Sequence, residues 1–233
     1  ALADIVQPER CVPAIVEFVD IAGLVAGASK GEGLGNQFLS HIRETDAIVN
    51  VVRCFEDDNV IHVAGKVDPI SDIEVIQTEL CLADLSTVEK SLVRYQKVAK
   101  AGQDKEAQRL VDVLKKCQAT LDQALPVRSI AFTKEELVVL KPLCLITAKP
   151  AMFVGNVAED GFENNAFLDQ LRAYGEKQHA PVVAICAKTE AELADMTDDD
   201  RLLFLHEMGL DEPGLNRLIR AAFGLLGLQT YFT

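Results

Sequence analysis

The chain has 233 residues, of which 49% are hydrophobic and 25% are charged, and 36 acidic against 23 basic residues give a net charge of −13. This composition excludes a wholly disordered chain, and the richest apolar run, 137–148, is interrupted by Lys141 and Pro142 and is too short to span a membrane. The acidic balance argues against a protein that coats duplex DNA by charge alone, and we expect no sequence-specific DNA binding.

The six cysteines are scattered, without a CxxC pair or a Cys/His spacing that suits zinc. Because the sequence also has no signal peptide, it predicts reduced thiols packed in the core of an intracellular, cytoplasmic protein. The positions are Cys11, Cys54, Cys81, Cys117, Cys144 and Cys186.

The first predicted strand, 14–20, is apolar and ends at Asp20. A glycine-rich loop follows at 23–35, where five of the chain's 14 glycines lie, and a short helix is expected at about 36–44. A second buried strand is predicted at 47–55. The loop glycines are Gly23, Gly27, Gly31, Gly33 and Gly35.

Two amphipathic runs come next. Ser71 and Glu74 have the spacing of a capping box, and apolar residues then recur every three or four positions until Gly102, a plausible helix stop. A second run of the same kind covers 107–121. The pattern predicts an antiparallel helical hairpin at 72–124, inserted between two strands.

Strands and helices alternate again in the last part of the chain. Thr133 and Glu136 form a second predicted capping box, and 228–232 is typical of a new strand or a linker. Four apolar strands separated by helices predict an α/β fold with a mostly parallel sheet covered on both faces. The further predicted elements are strands at 151–156 and 181–187 and helices at 165–179, 189–195, 199–208 and 213–226.

Polar or small residues follow three of the predicted strands, where open parallel sheets bind ligands. Asp20 and Gly23 form a DxxG pattern, in which the carboxylate can order a water on Mg²⁺ and the glycine N–H can approach a γ-phosphate. Asn156 can donate to and accept from a purine edge, and a backbone N–H of the turn Cys186-Ala187-Lys188 can meet a base carbonyl. Each pattern alone is a weak indication of a nucleotide site, and an Asn at the end of a strand is more often a turn residue.

Eight segments strengthen this interpretation, including FVDIAGLV at 18–25 and GASKGEGLGNQF at 27–38. The others are 42–45, 51–55, 61–63, 156–161, 212–216 and 228–233. Together they resemble the Obg-like ATPases of YchF type, a branch of the P-loop GTPases, over essentially the whole chain.

The resemblance implies binding and hydrolysis of ATP or GTP with Mg²⁺, which Asp20 would hold through water, and association with the ribosome. It implies a switch II loop containing Leu24, Gly27, Gly31, Gly33 and Gly35. It also implies that the purine base of the nucleotide binds at Asn156, Val157, Glu159, Cys186 and Ala187. Because Glu159 stands where NKxD proteins have Asp, relaxed specificity or a preference for ATP is the implied consequence.

The sequence lacks the glutamine that orients the attacking water for phosphate hydrolysis in many Ras-like proteins. These place Gln directly after DxxG, whereas this chain has the apolar Leu24. His62, in family register, is the candidate helper, because an imidazole can orient or deprotonate water near neutral pH. The alternative is a structural histidine between Ile61 and Val63.

Neither the GxxxxGK[ST] phosphate-binding loop nor GxGxxG occurs in the sequence, which argues against a Rossmann dehydrogenase. In the resembled family, the phosphate-binding loop and switch I precede the matched region and a TGS domain follows it. The expectation is therefore a fragment of a longer protein that is inactive alone, with the family's phosphate-loop strand normally lying between strands 14–20 and 47–55.

The resemblance divides the chain into a partial nucleotide-binding domain (1–71), the hairpin insertion (72–124) and the rest of the nucleotide-binding domain with the start of a linker (125–233). The main hypothesis is a switch ATPase or GTPase. The alternative is a non-catalytic interaction module that uses the hairpin and the acidic surface.

Overall fold

A computed structural model describes residues 7, 15–21, 34–60, 65–102 and 105–229. Within them lie three strands: β1 (Ile48–Arg53), β2 (Ala151–Asn156) and β3 (Val182–Ile185). The described helices are α1 (Leu34–Glu44), α2 (Pro69–Gly102), α3 (Lys105–Leu121), α4 (Lys134–Leu140), α5 (Ala166–Gln178), α6 (Ala187–Ala194), α7 (Asp198–Glu207) and α8 (Gly214–Leu225). No helix of the described part is long and apolar enough to cross a membrane.

The three strands form one parallel sheet in the order β1-β2-β3. The register aligns Arg53 with Asn156 and Asn156 with Ile185, so the carboxyl ends of all three strands lie at one edge, called the carboxyl edge below. The α/β prediction and three of its four strands are therefore confirmed.

The prediction of a strand at 14–20 is wrong for the residues that can be assessed. Residues 15–21 lie outside every helix and strand. Ile15, Phe18 and Val19 are exposed by 84%, 43% and 57%, so no burial drives this segment onto the sheet. A strand also needs a neighbour for its N–H and C=O groups, and among the described residues β1 pairs only with β2.

The core of the sheet is made by β2 and α5. The first five residues of β2 are buried, and Phe153 packs edge to face on Tyr174 of α5 with 5.6 Å between ring centroids. Gly155 lets α5 approach closely, because a Cβ there would lie 2.9 Å from Leu168 and 3.1 Å from Leu171. This packing holds α5 closely against β2 at the residue before Asn156.

Helices α2 and α3 form the predicted antiparallel hairpin, called the arm below. Helix α2 begins at Pro69, and the Asp68 carboxylate accepts the Ser71 N–H at 3.1 Å. The predicted capping box at Ser71 and Glu74 is therefore wrong, since Asp68 with proline at the first helical position starts the helix earlier. The described part of α2 extends to Gly102, and the buried seam between the helices contains Val88, Leu92, Leu110, Leu114 and Cys117.

The base of the arm is joined to the rest of the chain by Asp84 of α2, whose carboxylate is fully buried. It accepts hydrogen bonds from the Ile146 N–H (3.0 Å), the Thr147 N–H (2.7 Å) and the Thr147 hydroxyl (2.7 Å). Arg43 of α1 lies 3.5 Å from it. This Asp84 network connects α1, α2 and the segment before β2.

A second set of hydrogen bonds, from Lys149, holds the carboxyl end of α1 near the Asp84 network. The Lys149 ammonium donates to the carbonyls of Ile42 (2.6 Å), Arg43 (2.7 Å) and Thr45, at the carboxyl end of α1. These are carbonyls that a helix end leaves without intrahelical partners. The helix that follows the glycine-rich loop is therefore fixed to the base of the arm.

Candidate functional site

The base-reading candidates meet at the carboxyl edge. Asn156 is the last residue of β2, and its side-chain oxygen accepts the Ala187 N–H, at the start of α6, at 3.0 Å. The Asn156 carbonyl accepts the Cys54 N–H at 2.8 Å, which ties the same residue to the end of β1. Asn156 thus connects the ends of all three strands, as its position in the central strand requires.

The orientation of the Asn156 amide determines what it can offer a ligand. Since its oxygen is occupied by Ala187, the NH₂ group remains as the donor, and it has no partner among the described residues. Such a donor matches the N7 acceptor that adenine and guanine share.

Val157 and Cys186 direct their side chains away from the edge. Val157 is 2% exposed and Cys186 is 3% exposed, and both belong to the apolar cluster under the sheet. The Val157 N–H donates to the Ile185 carbonyl at 2.8 Å. Val157 and Cys186 can therefore contact a ligand only through backbone groups that are not already hydrogen-bonded. Their buried side chains pack in the core beneath the site.

Glu159 forms an ion pair with Lys188, with 2.8 Å between carboxylate and ammonium. This partner raises the pKa of Lys188. The pair bridges the loops after β2 and β3, as the Asn156–Ala187 hydrogen bond does. The pairing of Lys188 with Glu159 could not be predicted from local sequence, because the two residues are 29 positions apart.

The loop after β3 is further supported by Glu190 of α6. Its carboxylate accepts the Gly214 N–H at 2.7 Å and the Leu215 N–H at 3.1 Å, which caps α8 with an acidic group. Gly214 is required here, because a Cβ would lie 2.8 Å from both the Glu190 oxygen and Ile185 Cγ2. The sequence signal for this contact is the glycine after Pro213.

Gly214→Ala is expected to destabilise the chain by about 1–3 kcal/mol, because the added methyl must displace either the cap or the end of β3. Urea unfolding followed by circular dichroism measures this change. Gly224→Ala is the matched control, since a Cβ at Gly224 meets no atom within 4 Å. Equal stability of the two variants would contradict the assigned packing.

Arg53, at the end of β1, organises the loop that leads to His62. Its guanidinium donates to the carbonyls of Phe55 (3.0 Å), Asp57 (3.3 Å) and Val60 (2.9 Å) and lies 4.8 Å from the Phe55 ring centroid. His62 itself lies outside the described residues. The structure therefore fixes the loop up to residue 60, and a catalytic His62 stays a prediction.

Asp20 is exposed and lies outside the sheet, and among the described residues no contact joins it to Asn156 or Ala187. Its neighbour Ile21 packs against the apolar cluster between α1 and α2. Gly35 lies in the first turn of α1. The other predicted switch and phosphate-contacting residues, Gly23, Leu24, Gly27, Gly31 and Gly33, lie outside the described residues.

No cluster of three or more potential metal ligands exists in the described part of the chain. A Mg²⁺ ion bound mainly by nucleotide phosphates and water needs only one or two protein carboxylates. The exposed carboxylate of Asp20 suits such water-mediated binding, and its role remains a prediction.

Comparisons with known proteins agree with this fold. The family model described as 50S ribosome-binding GTPase matches residues 6–85. The ribosome-binding ATPase YchF of Haemophilus influenzae is 56% identical over 233 residues, covering 100% of this chain and 64% of that protein. Its Bacillus subtilis counterpart is 49% identical over 238 positions, with the same coverage. The solved YchF GTPase of Schizosaccharomyces pombe has a TM-score of 0.80 and 31% identity, covering 97% of this chain and 62% of that one.

The parallel sheet and the family match define a P-loop GTPase fold. Over its whole length the chain is similar to the ribosome-binding ATPases of YchF type. It spans slightly less than two thirds of the length of the relatives it matches.

Proposed function

We propose that the carboxyl edge binds the base of a purine nucleoside triphosphate. The observation that carries this proposal is the Asn156–Ala187 hydrogen bond, which aligns the Asn156 NH₂ donor beside the loop after β3. Val157, Glu159 and Cys186 complete the proposed base site. The relatives are called ribosome-binding ATPases and a GTPase, which supports the same class of ligand.

ATP is the nucleotide that the geometry favours. A guanine base would need an N–H donor for its O6 and a carboxylate for its N1–H and N2–H. The Ala187 N–H already donates to Asn156, and the Glu159 Oε1 atom already accepts from Lys188. GTP would have to break one or both contacts, whereas adenine needs neither.

Hydrolysis completes the proposed activity of the whole protein. In it, Asp20 orders a Mg²⁺-bound water, Gly23 contacts the γ-phosphate, His62 orients the attacking water and the switch II residues respond to the γ-phosphate. Mg²⁺ supplies charge neutralisation of the phosphates when bound.

Association with the ribosome, in the cytoplasm, is the second part of the proposal. The family model carries a ribosome-binding description, and its match extends through residue 85, into the first half of α2. The proposed protein is thus a nucleotide-dependent switch with a helical arm.

A titration with fluorescently labelled ATP and GTP, with and without Mg²⁺, tests the nucleotide proposal. Labelled ligands are needed because the chain has no Trp. Saturable binding that unlabelled ATP displaces at lower concentration than GTP is the expected result. Absence of saturable binding to a chain shown to be folded would overturn the proposal.

Lys188→Met is expected to shift the preference toward GTP by about tenfold, because it frees the Glu159 carboxylate to accept from guanine N1–H and N2–H. Competition between ATP and GTP for the labelled nucleotide measures the ratio. Adding Glu159→Gln should abolish the gain. Lys177→Met, at an exposed position on α5, is the control, and an unchanged ratio in Lys188→Met would show that the pair does not select the base.

A further inference from the structure

A small cavity, called the Arg128 cavity below, lies between β1, β2 and the first turns of α2. It encloses about 20 Å³, which is room for one water-sized particle and too little for phosphate or sulfate. Its walls are mostly apolar, with Ile73 and Phe153 among them, and its polar members are Asn50, Gln77, Arg128 and Thr147. None of the described residues that line it is an aspartate or a glutamate.

Arg128 brings a positive charge to this cavity without a negative partner. It lies half-buried in the short 3-10 turn Val127–Ser129, and burial lowers the pKa of its guanidinium. Within the part of the chain that the structure describes, no oxygen atom accepts a hydrogen bond from it. The two groups whose negative forms would favour its charge are the Cys81 thiol and the Tyr174 hydroxyl.

Both of these groups are neutral at physiological pH. Burial raises the pKa of Cys81 to about 12, and burial also raises the pKa of Tyr174 above its ordinary value of 10.0. A half-buried guanidinium surrounded by neutral groups is unfavourable, because burial removes hydration that no opposite charge replaces. The surroundings of Arg128 therefore favour a counter-ion.

Two side-chain amides add uncharged donors to the same cavity. The Asn50 NH₂ group donates one hydrogen to the Met152 carbonyl at 3.4 Å, and the Gln77 NH₂ group donates one to the Ala124 carbonyl at 3.1 Å. Because each NH₂ group has two hydrogens, each amide keeps one N–H for a further acceptor. The cavity thus combines one cation with two amide donors.

Asp84 does not neutralise Arg128, although it contacts the cavity wall. The Thr147 hydroxyl donates to the Asp84 carboxylate at 2.7 Å and accepts the Val127 N–H at 3.2 Å, so this hydroxyl is already used. The carboxylate also has Arg43 as its own cationic partner. The positive charge of Arg128 therefore stays uncompensated by these neighbours.

We infer that the Arg128 cavity binds a single monovalent anion of the size of chloride, held by the Arg128 guanidinium and the side-chain amides of Asn50 and Gln77. The size of the cavity selects a monatomic ion, and the donors select a negative charge. Since Asn50 belongs to β1, Gln77 to α2 and Arg128 to the segment after α3, the bound ion connects the base of the arm to the sheet.

A chloride titration of the full chain tests the inference. Urea unfolding is measured in mixtures of sodium chloride and sodium gluconate at constant ionic strength, because gluconate is too large for the cavity. We expect the unfolding midpoint of wild type to rise with chloride and then to level off, as it does for one site that only the folded chain has. Line broadening in ³⁵Cl nuclear magnetic resonance measures binding directly, and Arg128→Met should weaken it by at least about tenfold.

Two further variants separate the site from general salt effects. Arg94→Met, at an exposed position on α2, is the matched control and should keep the chloride dependence of wild type. Asn50→Val leaves Arg128 in place but removes one amide donor, so it should weaken chloride binding even if Arg128→Met fails to fold. A midpoint of wild type that is equal in chloride and gluconate would mean that the cavity holds water only and would overturn the inference. Chloride dependence that persists in folded Arg128→Met would overturn it as well.

Discussion

Asp84→Ala is expected to lower the free energy of unfolding by about 3–5 kcal/mol, the largest effect of any single substitution considered. The change removes the acceptor for the Ile146 N–H, the Thr147 N–H and the Thr147 hydroxyl in a fully buried place. It also leaves Arg43 without its carboxylate. Unsatisfied buried donors and a broken buried ion pair each cost several kcal/mol. Urea unfolding measures the loss.

Asp122→Ala is the matched control, because Asp122 is exposed just beyond the end of α3. Its free energy of unfolding should stay within about 0.5 kcal/mol of wild type. A similar small effect of Asp84→Ala would mean that the arm base is held by apolar packing alone.

The pH dependence of Asp84 distinguishes burial from hydrogen bonding. Burial raises the pKa of Asp84 above the ordinary aspartate value of 3.8, although the hydrogen bonds from Thr147 and Ile146 and the charge of Arg43 act to lower it. The native state therefore binds this proton more tightly than the unfolded chain. Acidification from neutral pH toward 3.8 should consequently stabilise wild type relative to Asp84→Asn. The opposite trend would mean that the hydrogen bonds outweigh burial.

The Asp84 network also links α1 to the arm through Arg43. Arg43 also donates to the Thr87 hydroxyl and the Cys144 carbonyl, both at 3.1 Å. Because α1 directly follows the glycine-rich loop, a change of that loop that moves α1 would reach the arm through these contacts of Arg43.

Asn156→Ala is expected to weaken binding of labelled ATP by about 1–3 kcal/mol, which is roughly five- to 150-fold in the dissociation constant. The variant removes the NH₂ donor proposed for N7 and also releases the Ala187 N–H. The released N–H can then donate to guanine O6, so the loss should be smaller for GTP than for ATP.

Asn216→Ala is the control, because Asn216 is exposed on α8. Its nucleotide affinities should equal those of wild type. Equal affinities in Asn156→Ala would place the base site away from the end of β2.

Local signals in the sequence predicted the elements whose determinants are local. The capping box at Thr133 and Glu136 is present, with hydrogen bonds of 3.3 and 2.9 Å, because both partners lie within one helical turn. The meeting of Asn156 with Ala187 was also predictable, since consecutive parallel strands end at the same edge. The capping box predicted at Ser71 and Glu74 is absent because Asp68 and Pro69 begin α2 earlier, so a local pattern can also predict the wrong helix start.

Contacts between distant positions could not be predicted. Asp84 and Thr147 are 63 positions apart, and neither residue type nor spacing indicates their hydrogen bond. The prediction of a strand at 14–20 was wrong for the same reason, because an apolar segment becomes a strand only where another strand supplies hydrogen-bond partners for its backbone. The Glu159–Lys188 pair likewise depends on how two loops face each other.

Nuclear magnetic resonance of the ¹⁵N-labelled chain during addition of Mg²⁺-ATP shows whether the base binds at the carboxyl edge, with Asn156→Ala used to assign the side-chain NH₂ signal. We expect the Ala187 amide and the Asn156 NH₂ signals to shift together and to saturate at the same ATP concentration. Saturable binding that leaves both signals unchanged would contradict the claim that the carboxyl edge of the sheet reads the purine base.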